Sequence, residues 1–214
     1  MPDEPPLTRR ILDATEATLR RHGAEKTNVV DVARSLGMSH ANIYRHFPSK
    51  KALLEAVAAR WLHQLMPPLE AIARDGTQPA PDRLAAWFTT LQAAKRRKVL
   101  GDPELFRVYH DIAMAATDLV NAHVADLLGM VERIIADGIA RGEFAPGWTP
   151  PRAAAQACLH AMTAFHHPAM LMAAPPLGEE EARIVLNLLL AGLLTGPKTV
   201  GDKERALPPG GRPA

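Results

Sequence analysis

The sequence predicts an all-α fold, and three observations predict it. Alanine, leucine and methionine are plentiful while aromatics make up 5% of the chain, a composition that favours helices. No run of alternating β-branched residues reads as a strand. Apolar residues recur at helical spacing between capping, Gly and Pro signals along most of the length. The hydrophobic fraction of 47% suffices to fill a sizeable core. No apolar run reaches membrane-spanning length; the most apolar stretch, Ile184 to Leu194, is too short. The single cysteine, Cys158, excludes an internal disulfide and fits a reducing, cytoplasmic setting.

Residues 1–6, MPDEPP, are acidic and proline-rich, and read as a flexible arm rather than a signal peptide. The first helix runs from about Leu7 to His22, with Ile11, Leu12, Thr15, Thr18 and Leu19 at helical spacing, and Gly23 ends it. Thr27 or Asn28 caps the second helix, whose apolar side is Val29, Val30, Val32, Ala33 and Leu36. Gly37 admits a turn that a residue with a Cβ resists. Ser39 is placed to cap the third helix, Ser39 to Phe47, its hydroxyl accepting a first-turn amide. Ile43 and Phe47 are its inward positions; His40, Asn42, Tyr44, Arg45 and His46 are outward. Pro48 stops it, and Ser49 caps a fourth helix opened by Lys50 and Lys51.

A helix, a glycine turn and a short polar-faced helix suit the major groove of DNA. The second of the pair meets base edges while the first braces it against the backbone. Tyr44, Arg45 and the lysines can hold phosphates. The charge distribution agrees. The net charge is only +2, but residues 7 to 60 hold ten Lys/Arg against five Asp/Glu, and residues 61 to 214 hold fifteen against sixteen. The positive excess therefore sits on this segment, as phosphate binding requires.

This stretch resembles the DNA-binding head of the TetR family of bacterial transcription regulators. The residues that carry the resemblance are Gly23, Thr27, Val32, Ala33, Gly37, Met38, Ser39, Ile43, Tyr44, Phe47, Lys50, Leu53 and Leu54. They span roughly the first quarter of the chain. Val32 stands where the family often has isoleucine, and Ala41 where it often has glycine. The resemblance implies an N-terminal three-helix helix-turn-helix DNA-binding head and a C-terminal helical body that binds ligand and dimerises. It also implies a homodimer joined through the last two helices on a palindromic operator of double-stranded DNA. The implied role is transcriptional repression, relieved by an unidentified small-molecule effector. An activator or a co-repressor-dependent regulator is the alternative on the same fold. A small-molecule- or metal-sensing dimer without specific DNA recognition is the alternative of another class. The candidate DNA-contacting residues are Thr27, whose phosphate contact carries over from the family, with Arg34, Ser39, His40, Ala41, Asn42, Tyr44, Arg45, His46 and Lys50. Thr8, Arg9 and Arg10 either reach the DNA backbone or form a solvated first turn.

The fourth helix is expected from Lys50 to about Arg74, with a kink or break at Pro67 and Pro68. Residues 75–81 form a loop. The next helix, Asp82 to about Lys98, turns Leu84, Trp87, Phe88 and Leu91 inward. Its KRRK end, Lys95 to Lys98, suits the helix macrodipole as a solvated terminus, with a second DNA contact as the sharper alternative. Gly101 and Asp102 break and recap the chain, and Pro103 opens a helix to about Ala116. A long helix from Asp118 to Arg141 follows, stopped by Gly142. Pro151 starts the eighth helix, which Pro168 kinks or ends. After a break at Pro175, Pro176 and Gly178 comes the ninth helix, Glu179 to Leu194. It is apolar nearly all round after Arg183, which requires burial on more than one side and points to a subunit interface. The division is therefore 1–6 arm, 7–52 DNA-binding head, 53–196 body and 197–214 disordered tail.

Helical bundles hold small molecules between helices, in pockets that are mostly apolar with a few polar groups. The candidate lining is Trp87, Phe88, Leu91, Phe106, Tyr109, His110, Met114, Met130, Met162, Phe165 and His166, most of them also fitted to fill core. His110, His123, His160, His166 and His167 fall in the body. None of these pairs at i, i+4 as a strong metal site does, so pocket hydrogen bonds or interface contacts are the expected roles and no metal or cofactor is expected. The chain has no nucleophile elbow, phosphate loop or Cys/His ligand cluster, which argues against an enzyme, and Cys158 reads as a small core residue.

Overall fold

The computed structural model describes residues 6–172 and 178–197. Residues 1–5 of the predicted arm, the predicted break at Pro175 and Pro176, and residues 198–214 of the predicted tail lie outside them. The described residues are helical without a strand. They form α1 (Pro6–Lys26), α2 (Val29–Ser35), α3 (His40–His46), α4 (Lys50–His63), α5 (Met66–Arg74), α6 (Ala80–Gly101), α7 (Pro103–Ala115) and α8 (Thr117–Ala140). A 3₁₀ turn at Pro146–Trp148 leads to α9 (Pro151–Ala161), α10 (Thr163–His166), α11 (Pro168–Met172) and α12 (Glu179–Thr195).

Among the described residues twelve helices stand where nine were expected, because two predicted helices are broken. The fourth stops at His63 and restarts at Met66, so Pro67 and Pro68 lie in the first turn of α5. First-turn amides have no intrahelical acceptor, so proline costs nothing there and the break falls before it. The eighth divides into α9, α10 and α11, with Pro168 opening the last piece. In the opposite sense α6 outruns its expected span, starting at Ala80 and reaching Gly101.

Two buried clusters organise these helices. The larger joins α5, α6, α8, α9 and α12, with Trp87, Phe88, Leu91, Val131, Ile134, Ile135 and Phe144 among its members. The smaller joins α1 to α4 through Ile11, Leu12, Leu19, Val32, Ile43, Phe47, Leu53 and Val57. It also takes in Leu105, Tyr109 and Ile112 from α7. Arg60 of α4 binds Asp13 (2.6 Å) and Glu16 (3.1 Å) of α1, and Arg20 of α1 binds Asp102, the α7 N-cap, at 3.0 Å.

Candidate nucleic-acid interface and effector cavity

The α2–α3 pair follows from local chemistry. The Asn28 Oδ1 accepts the Val30 amide (3.0 Å) and caps α2. Val29, Val32 and Ala33 are buried, but Val30 is exposed; on a helix it sits about 100° from its neighbour, clear of the buried stripe. Gly37 turns the chain at φ +66°, a left-handed backbone that a Cβ disfavours. Ser39 takes the extended N-cap conformation of α3, yet its hydroxyl makes no capping bond, contrary to expectation. Ser49 does cap α4, its Oγ accepting the Ala52 amide at 3.0 Å.

On α3, Ile43 is fully buried and Phe47 closes the helix from below, which leaves His40, Ala41, Tyr44, Arg45 and His46 exposed and Asn42 half-buried. The His40 and Tyr44 rings meet edge to face, 6.2 Å apart. Arg34 is exposed and pairs with Asp31 (2.9 Å). Lys50, at the start of α4, donates to the Glu25 carbonyl (3.2 Å). Thr27 departs from this exposed set. It is only 2% exposed, and its hydroxyl donates to the Gly23 carbonyl at 2.6 Å. Its side chain therefore braces the α1–α2 corner instead of facing solvent.

A cavity of about 240 Å³ opens among α4, α6, α7, α8 and the α9–α11 segment. Of the predicted pocket residues it is lined by His110, Met114 and His166. Trp87, Phe88, Leu91, Phe106, Tyr109, Met130, Met162 and Phe165 are buried packing residues instead and do not line it. Their periodicity marks the inner stripe of each helix, and that stripe meets other helices rather than the void. The walls include Trp61, Leu62, Lys95, His123, Leu127, Leu159, His160 and His167, none of them in the predicted lining.

Lys95 is the largest departure. The KRRK run suits a solvated helix end, yet Lys95 is 7% exposed, because α6 continues to Gly101 and Lys95 continues the buried stripe of Leu84, Phe88 and Leu91. That spacing is visible in the sequence and would have placed it inside. Burial pushes its ammonium down to about 8. The other end of the run does face solvent in part: Lys98 lies over the Trp61 ring (4.9 Å) and donates to Gln64 (3.1 Å). Burial first, and then the Lys95 charge, push His123 and His166 down to about 4 and lower His167. His123 is 9% exposed and its Nε2 has no hydrogen-bond partner in the protein. Cys158 is buried and free, its thiol pushed up to about 11 by burial, as a core residue. Among the described residues no group of three His, Cys, Asp or Glu side chains converges as a metal site.

The family model of bacterial regulatory proteins, tetR family, matches residues 11–57, and that of the tetracyclin repressor-like C-terminal domain matches residues 80–185. The chain belongs to the TetR family. The HTH-type transcriptional repressor KstR2 of Mycolicibacterium smegmatis is 26% identical over 154 residues, covering 68% of this chain and 73% of KstR2. The HTH-type transcriptional repressor Rv1474c of Mycobacterium tuberculosis is 28% identical over 166 residues, covering 69% and 87%. A TetR transcription regulator from Haloarcula marismortui shares the fold at a TM-score of 0.68 with 21% identity, covering 87% of this chain and 97% of that one. FadR from Bacillus subtilis in complex with stearoyl-CoA does so at 0.60 with 20% identity, covering 86% and 98%. This TetR-family chain is thus a DNA-binding helix-turn-helix transcription regulator and not an enzyme. Among its described residues no helix is long and apolar enough to cross a membrane.

Proposed function

We propose that this TetR-family protein is a repressor that binds a palindromic operator as a homodimer and releases it when a small molecule enters the cavity. In this reading residues 7–52 are the DNA-binding head and 53–196 the effector-binding and dimerising body. The observation that carries it is the double role of α7. Leu105, Tyr109 and Ile112 on one side of α7 pack into the cluster beneath α1 to α4, while His110, Ala113 and Met114 on the other side line the cavity. An occupant that fits one setting of α7 better than another shifts the population of head positions, by as much as its affinities for the two differ. Arg34, Ser39, His40, Ala41, Asn42, Tyr44, Arg45, His46 and Lys50 are the residues we assign to the DNA face; the buried Thr27 supports them. The FadR complex with stearoyl-CoA is one protein of this fold that holds a small molecule, which favours an effector site in the body.

The dimer reading is supported by α12. Ile184, Leu188 and Leu194 are exposed on it, and α9, which packs against α12, carries the exposed small residues Ala153, Ala157 and Ala161. Two such faces packed about a two-fold axis form a four-helix bundle and set two heads on half-sites about 34–36 Å apart. The test is a mobility-shift assay on the DNA upstream of the protein's own gene, with competitor DNA and a salt series. A discrete shift should resist competitor, weaken steeply with salt and vanish with Tyr44→Ala. A shift that any DNA competes away would sink the reading.

A further inference from the structure

We propose that the cavity takes a small effector with an apolar body and a carboxylate head, and that Lys95 is the group that binds the head. The inference rests on the effector reading of the cavity given above. Trp61, Leu62, Val120, Leu127 and Leu159 make the walls predominantly apolar. Lys95 lines the same space, more than nine-tenths buried. No Asp or Glu is among the lining residues, and neither a hydrogen bond nor an ion pair satisfies the Lys95 ammonium among the described residues.

A cation buried without an opposite charge is costly unless something neutralises it. Burial lowers the Lys95 ammonium only to about 8, so at neutral pH it stays mostly charged. Lys95 lines one cavity with His123, His166 and His167, and its charge is one cause of the lowering of all three imidazoles. There the buried His123 Nε2 lacks a protein partner. Lys95 offers N–H donors to a carboxylate, and a neutral imidazole offers one more when its tautomer puts the proton on Nε2. A cationic effector is disfavoured by the same charge, and a neutral one leaves the ammonium unpaired. Size narrows the class. At ~30 Å³ per liquid water, a 240 Å³ space has the bulk of a medium-chain or phenyl-substituted carboxylic acid.

The experiment is calorimetric titration of the full-length protein with octanoate, decanoate and 3-phenylpropionate, each beside its primary amide and the corresponding amine. The expected result is that an acid binds about tenfold or more tightly than its amide, that the amine binds weakest, and that Lys95→Met erases the acid's preference. Lys95→Gln, which keeps a polar head without the charge, should erase it as well and serves if the methionine variant does not fold. Equal binding of acid and amide, an unchanged preference in the Lys95 variants, or no binding of any acid at millimolar concentration would each overturn the proposal. The operator shift assay is run in parallel. Specific DNA binding without acid binding would remove this inference and leave the regulator standing. Acid binding without specific DNA binding would do the reverse.

Discussion

Lys50 and Tyr44 are both assigned to the DNA face and should behave differently. Lys50→Ala removes a charge that we assign to a phosphate, so it should weaken all DNA binding and reduce the slope of log affinity against log salt by about 0.9. Tyr44→Ala removes a neutral side chain, so affinity should fall with the slope nearly unchanged. Fluorescence anisotropy over a salt series separates the two, and equal slopes for Lys50→Ala and wild type would end the phosphate assignment. Lys95 gives a second residue-scale expectation. Its ammonium is held at about 8 against an ordinary 10.5, so the folded protein loses this proton before the unfolded chain does. Stability therefore carries a constant cost of about 3 kcal/mol below pH 8 and recovers it as pH rises to 10.5. Lys95→Met should be the more stable protein at pH 7 by up to about 3 kcal/mol, with the gain shrinking toward pH 10.5, measured by urea unfolding. His123 and His166, pushed down to about 4, act with the same sign at lower pH. Their contribution is complete above pH 6.5 and is lost as pH falls toward 4. The Lys95 charge is one cause of both shifts, so Lys95→Met should also move both imidazoles upward in an NMR titration.

Helices here are tied to one another by a few buried polar groups. Arg83 of α6 is almost fully buried. It donates to the Ile72 and Ala73 carbonyls at the end of α5 (3.3 and 2.5 Å) and pairs with Asp137 of α8. Three helices thus meet at one guanidinium. Arg83→Met keeps the apolar bulk but takes the guanidinium from the Ala73 carbonyl and from Asp137, while Ile72 keeps the Asp75 amide, and should cost about 2–4 kcal/mol in chemical denaturation. A loss well under 1 kcal/mol would mean that solvent satisfies the Ala73 carbonyl and Asp137 instead. How far elements were legible depended on where their punctuation lay. The bounds of α3 were readable because Gly37, Ser39 and Pro48 bracket it closely. The end of α4 was misplaced because the visible prolines mark the beginning of α5, and nothing in Gln64 or Leu65 announces a stop. The burial of Lys95 was missed because its charged neighbours masked a stripe that Leu84, Phe88 and Leu91 had already set.

Across the molecule, the proposed interface and the proposed switch are separable. Leu188 is 68% exposed in the single chain, so Leu188→Glu should barely alter the monomer's fold while placing two like charges near the proposed two-fold axis. Sedimentation should then show a monomer whose operator affinity is far below that of wild type, and a variant that remains dimeric would remove α12 from the interface. The α7 helix belongs to both halves of the reading. Its Tyr109 ring stacks on Trp61 of α4 at 5.2 Å, and Trp61 itself lines the cavity, so a change in the cavity reaches the head cluster through two helices in contact.

The sequence by itself determined the helical class, the helix-turn-helix and its outward side chains. Each depends on neighbours within a few residues: a glycine, a cap, a proline, and an apolar repeat of 3.6. Only the tertiary structure decided which apolar residues fill core and which border a void, that α7 completes the cluster beneath the head, and that the buried Lys95 shares its cavity with histidines from α7 to α10. Those outcomes are set by which helices meet and at what angle. Residues distant in sequence supply that geometry, and no local pattern records it.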